Sequence, residues 1–185
     1  MLKPKKLPMV RQLLSFGLLI VLLAVVLNLL NWLPNLLNPH RLKRFSSIDA
    51  ARKELNVEKI YLPTYMPEDL HLSWPPSDVY AQDTPFPAAI MHFTFKGSSD
   101  IGLVIQQAGK KAYYDFSPAI RITDRQKPVS ILIKNRRADL ASAECDSKVQ
   151  CQIISWTEGK TIITLTGKVP AREIIKIASS MLSGD

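Results

Sequence analysis

Cys145 and Cys151 are the only two cysteines of this 185-residue chain, and five residues separate them. That spacing fits a small disulfide loop across a β-hairpin, worth about 2 kcal/mol if it closes without strain. Disulfides persist outside the cytosol. Two unrelated buried thiols satisfy the same spacing. A metal centre is disfavoured, because no second Cys or His pair lies nearby at ligand spacing. The three histidines, His40, His71 and His92, are scattered. His92 lies on the polar side of an alternating strand, which predicts a solvent-facing imidazole. Glu68 and Asp69 are adjacent acids, but neighbours on an extended chain point apart, so they fit turn chemistry better than acid–base work. No G-x-S-x-G, H-E-x-x-H or Gly-rich phosphate loop occurs. The sequence therefore predicts no enzyme, no metal and no cofactor. A hydrolase of envelope material would need His71, His92, Glu68, Asp69 or Asp115 to converge in one pocket.

Binding chemistry has more candidates. Arg121, Arg125, Lys127, Lys134, Arg136 and Arg137 crowd a short stretch of the chain. They read either as solvated loops and strand ends or as an anionic docking patch. Aromatic residues do not interleave with them, so a base-stacking platform and a nucleic-acid partner are not expected. Trp74, Phe93, Phe95 and Trp156 read as core or as the lining of a groove for an apolar ligand.

The elements that must position these residues begin with an uncharged stretch, Gln12 to Pro39. Leu13 to Leu33 is long enough, at roughly 1.5 Å per residue, to match a hydrocarbon core of about 30 Å. The sequence alone thus predicts a short basic tail over 1–12, a single transmembrane helix over 13–33 in the lipid bilayer, a juxtamembrane linker over 34–46, and one domain over 47–185. Trp32 suits the headgroup interface, and Pro34 ends the helix. All 16 acidic residues lie beyond this stretch, against 20 of the 24 basic ones. A domain of such modest positive charge lacks the strong asymmetry of a nucleic-acid binder.

In the domain, Ser46 or Ser47 can cap a short helix, Ile48 to Leu55. Pro63 and Pro67 forbid a continuous helix, so an extended connection leads to a strand from about Leu70 to Trp74, with a Pro-rich loop over 81–87. Met91, Phe93 and Phe95 alternate with His92, Thr94 and Lys96, the period of a half-buried strand. Gly97 to Asp100 is a turn, and IGLVIQQA completes a hairpin. Val129 opens another strand. Gln152–Thr157 and Lys160–Thr166 form a hairpin about Glu158-Gly159, with Ile154, Trp156, Ile163 and Leu165 facing one way. Pro170 starts a helix whose Ile174, Ile177, Ala178 and Met181 make one apolar stripe.

These blocks resemble the extracytoplasmic family known as domain of unknown function 4367. The likeness rests on Leu62-Pro63-x-Tyr65-x-Pro67-Glu68, on Trp156-Thr157-Glu158-Gly159, on Leu165-Thr166-Gly167, and on Glu173-Ile174 through Ile177-Ala178-Ser179-Ser180-Met181. It covers roughly Val57 to Leu182. The family usually has Gly after the Pro-Glu pair, where this chain has Asp69-Leu70. The resemblance implies an architecture similar to LolA and RseB, and no agreed catalytic residues. The expected fold class is therefore α+β: an N-terminal transmembrane helix, then a curved antiparallel sheet packed against a C-terminal helix. The expected function is a membrane-anchored binding or sensing domain outside the cytoplasm, which contacts an apolar ligand or a protein partner. A structural subunit of a membrane complex is the alternative.

Overall fold

The computed structural model describes residues 16–28, 42–55, 60–83, 87–110, 112, 118–146 and 148–182. Two compact units divide the chain, Met1–Pro39 and His40–Asp185. In the first unit residues 16–28 are helical and exposed. Among the described residues no helix is long and apolar enough to cross a membrane, which overturns the transmembrane helix expected over 13–33. The thirteen described helical residues rise about 20 Å, against a hydrocarbon core of roughly 30 Å. The tail over 1–12, Trp32 and Pro34 lie outside the described residues.

The second unit is mostly antiparallel sheet, which corrects the α+β expectation. Its elements are β1 (Lys43–Phe45), α1 (Ile48–Leu55), a 3-10 turn (Glu68–Leu70), β2 (Asp78–Gln82), β3 (Ala88–Thr94), β4 (Ile101–Gly109), β5 (Ile122–Arg125), β6 (Val129–Ile133), β7 (Arg136–Cys145), β8 (Val149–Glu158), β9 (Thr161–Gly167) and α2 (Ala171–Met181). The strands form one nine-stranded sheet in the order β1-β2-β3-β4-β9-β8-β7-β5, and β6 also pairs with β7. Every pairing is antiparallel.

Register explains the core. Val79, Met91, Ile105, Leu165, Ile154 and Leu140 are successive cross-strand neighbours from β2 to β7. Alternate residues share a face, so this apolar row puts that side of the sheet in the core along its length. Helix α2 covers it with Ile174, Ile177, Ala178 and Met181, all buried. Helix α1 forms because Ser47 Oγ accepts the Ala50 amide at 3.1 Å and caps the first turn. Gln107 lies in the core face of β4, and its side-chain amide accepts from the Tyr61 N–H at 2.8 Å and donates to the Tyr61 carbonyl. One side chain thereby replaces a missing strand and holds the segment at Tyr61 against the sheet.

Three local expectations change. Lys43–Phe45 is an edge strand, although the sequence suggests a linker. Leu70–Trp74 is no strand; it supplies the end of the 3-10 turn and one bridge, Leu72 to Phe95. The strand lies later, at Asp78–Gln82, where flanking prolines suggest a loop. Thr84, Pro85 and Phe86 of that loop lie outside the described residues.

Candidate ligand-binding face

The second face of the sheet is covered over only part of its width. A smaller apolar cluster packs there, built from Leu42, Ala88, Ile90, Val104, Ile120, Ala143, Ile153 and the two cysteines. Cys145 and Cys151 form a disulfide with a Cα–Cα separation of 6.0 Å. Cys145 pairs with Val149 and Cys151 with Ala143. The bridge therefore runs diagonally between β7 and β8, and both sulfur residues are fully buried.

His92 belongs to this covered part. It is 4% exposed, so the expected solvent-facing imidazole is corrected. Its strand neighbour is Asp78, and the Tyr80 ring lies 5.3 Å away. Burial pushes the imidazole below its usual range, partly opposed by the Asp78 charge. The sequence pattern identifies the second face correctly but cannot tell which part of it is roofed.

The rest of that face is open. Gln106, Thr164, Ser155 and Asp139 are successive cross-strand neighbours over β4, β9, β8 and β7. Ala108, Ile162 and Thr157 form the adjacent row. Two shallow depressions lie along these rows. One, of about 280 Å³, is lined by Gln106, Ala108, Gly109, Lys110, Ala112, Ile162 and Thr164. The other, of about 400 Å³, is lined by Arg137, Asp139, Ser155, Trp156, Thr157 and Ile162. Both reach Ile162, so they abut. Hydroxyl, amide and carboxylate groups share the lining with apolar side chains, with a cation at each end.

The residues singled out from sequence separate. Phe93 and Trp156 are buried core. Phe95 packs against that core half-buried, beside Gly102. Trp74 is 51% exposed and stacks on Phe93 with centroids 6.0 Å apart. These four do not line one groove. The basic stretch splits as well. Arg136 pairs with Glu158 at 3.2 Å, Arg137 Nε donates to Ser130 at 2.8 Å, and Lys134 Nζ donates to the Leu182 carbonyl at 3.3 Å. Arg125 lies opposite Ala143, about 20 Å along β7 from Arg137 at the usual rise per residue. Arg121 binds Asp146 through its amide at 3.1 Å, and Lys127 is exposed beyond β5.

The residues named for a hydrolase do not meet on the described elements. Glu68 and Asp69 form the 3-10 turn, His71 is exposed at its end, and His92 is buried on β3. Asp115 lies outside the described residues. No cluster of metal-binding side chains occurs among the described residues.

Two distant blocks of sequence do meet. Tyr65 OH donates to Glu173 at 3.1 Å, Lys176 donates to the same carboxylate at 2.8 Å, and Lys176 stands over the Tyr65 ring at 5.8 Å. Lys176 holds the Glu173 carboxyl below its usual range, and Glu173 raises the Lys176 ammonium. Partial desolvation and the carboxylate raise the Tyr65 phenol. This contact fixes the Leu62–Pro67 segment to α2.

Strand β7 and the polar row were missed in sequence. The alternation of the β8–β9 hairpin implies that Ser155, Thr157, Ile162 and Thr164 face away from the core, and that is the signal that finds them. The family described as Domain of unknown function (DUF4367) matches residues 60–181, which span every element from the Tyr61 segment to α2. No curated protein and no solved structure matches the chain.

Proposed function

We propose that this chain, which belongs to the Domain of unknown function (DUF4367) family, is a non-catalytic binding or sensing domain that works outside the cytoplasm. One observation carries the reading. The sheet is covered on one face by α2 and the Tyr61 segment, whereas part of the other face presents two abutting depressions to solvent. A fold that leaves an in-register polar row open on a rigid sheet offers a preorganised contact surface. The buried disulfide supports an oxidising compartment. A broad antiparallel sheet with a helix across one face is in keeping with a LolA- or RseB-like architecture. The apolar-ligand version loses its support, because Phe93 and Trp156 are packed in the core.

Sidedness tests the reading. A cysteine placed at exposed Thr157 is expected to react with a membrane-impermeant thiol reagent in intact cells. Cys145 and Cys151 are expected to react only after reduction and unfolding. Labelling of the Thr157 site only in permeabilised cells would refute the extracytoplasmic reading.

A further inference from the structure

The open face carries a chemical pattern that narrows its ligand. Lys110 closes one end and Arg137 the other, and the Lys110 amide contacts the Lys160 carbonyl at 3.3 Å, which brings a third cation to the same rim. Among the described residues none of these three forms a salt bridge. Between the ends, Gln106, Thr164, Ser155 and Asp139 stand in one row. Three strand spacings separate the ends of that row, about 14 Å at the usual 4.8 Å.

We infer that this face binds an anionic oligosaccharide, a short chain of sugar units whose carboxylates alternate with hydroxyls. The inference deepens the binding reading and rests on it. The end cations match carboxylates. The Ser, Thr and Gln side chains exchange hydrogen bonds with sugar hydroxyls. Asp139 decides against an anionic chain that lacks hydroxyl donors. A polyphosphate would set charge against its carboxylate, whereas a sugar hydroxyl donates to it. An acidic peptide brings carboxylates but few hydroxyl donors. Of the lining residues only Ala108, Ala112, Ile162 and Trp156 carry apolar side chains, and Trp156 belongs to the core. The separation and the volumes suit a chain of a few sugar units.

The test is calorimetric titration of the full chain with tetragalacturonate, compared with uncharged maltotetraose and with tetraglutamate. The expected result is binding of tetragalacturonate that weakens as salt is raised, and weaker binding of both comparison compounds. Lys110→Gln and Arg137→Gln should each reduce affinity about fivefold. Arg125→Gln and Lys127→Gln, on the distant β5 side, should leave it unchanged. Equal binding of tetraglutamate, an Arg125→Gln loss as large as that of Arg137→Gln, or no binding of tetragalacturonate would each overturn the inference. A domain that labels from outside yet ignores tetragalacturonate sinks this inference alone. Labelling from inside sinks the reading beneath it.

Discussion

Opening the Cys145–Cys151 bridge should cost the fold a definite amount. The bridge closes a loop of sequence separation 6 at the β7–β8 turn. Chain-entropy arguments assign such a small loop about 2 kcal/mol at 25 °C. The folded unit spans His40–Asp185, and unfolding entropy scales with length, so this equals about 7 °C in Tm. Reduction under mild denaturant changes only the bond, because both sulfurs stay in place. Alanine variants add the loss of buried sulfur, since both residues are fully buried in the cluster with Ile153 and Ala143. The decisive comparison is between single and double variants. If the bond exists, Cys145→Ala alone already opens it, and Cys151→Ala then adds little beyond its own sulfur. If the residues are separate thiols, the two single costs add up to the double. Urea midpoints for the four proteins, with and without reductant, give the answer. Additive costs and a midpoint indifferent to reductant would refute the disulfide and the compartment argued from it.

Other positions give sharp expectations. Gly102 is the unpaired residue where β3 and β4 shift register, and an added Cβ would lie 2.6 Å from Leu72 Cδ2 and 2.8 Å from Phe95 Cζ. Gly102→Ala should therefore destabilise by about 1–3 kcal/mol in thermal melts, and an unchanged Tm would show that the neighbours yield freely. Ile177→Ala empties a fully buried site under α2 and should cost about 2–5 kcal/mol by urea denaturation. His92 titrates low in the folded state because it is buried. Its contribution is complete above the unfolded value of about 6.5 and is lost as pH falls from there towards the folded value. His92→Gln should flatten the acid side of the stability profile, and parallel profiles for the two proteins would contradict the burial. Tyr65→Phe removes the hydrogen bond to Glu173 and should lower the urea midpoint only slightly at this exposed site; a loss as large as that of Ile177→Ala would mean the contact does more than dock the segment.

Sequence patterning was legible where one face is dry and the other wet. The α2 stripe, the β3–β4 hairpin and the β8–β9 hairpin follow from spacing alone, because each segment has a single buried side. At the β8–β9 turn the register pairs Glu158 with Thr161, so the two turn residues are Gly159 and Lys160, one step beyond the expected pair. Gly159 takes the positive φ that such a turn asks of its first position. Strand β7 fails the same test for a physical reason. Its sequence, RRADLASAEC, is rich in good helix formers, and only its place between β8 and the β5–β6 edge makes it a strand. Strand β2 is hidden differently: buried Val79 and Ala81 alternate with half-buried Asp78 and Tyr80 for only four residues before buried Gln82 breaks the pattern.

The open face depends on β7 and on what covers its neighbour. Asp139 and Arg137 reach it only because β7 is a strand, and its border is drawn where Leu42, Ile90 and Ile120 cover the neighbouring half. In the linear sequence Gln106, Asp139, Ser155 and Thr164 are isolated polar residues in four segments. Pairing register turns them into one row, and register is set by the core face, where shifting any strand by one residue would bury its polar set. The apolar row from Val79 to Leu140 therefore aligns the polar row behind it. An insertion that slips β9, such as one residue added beside Gly159, should disturb the open face as much as the core.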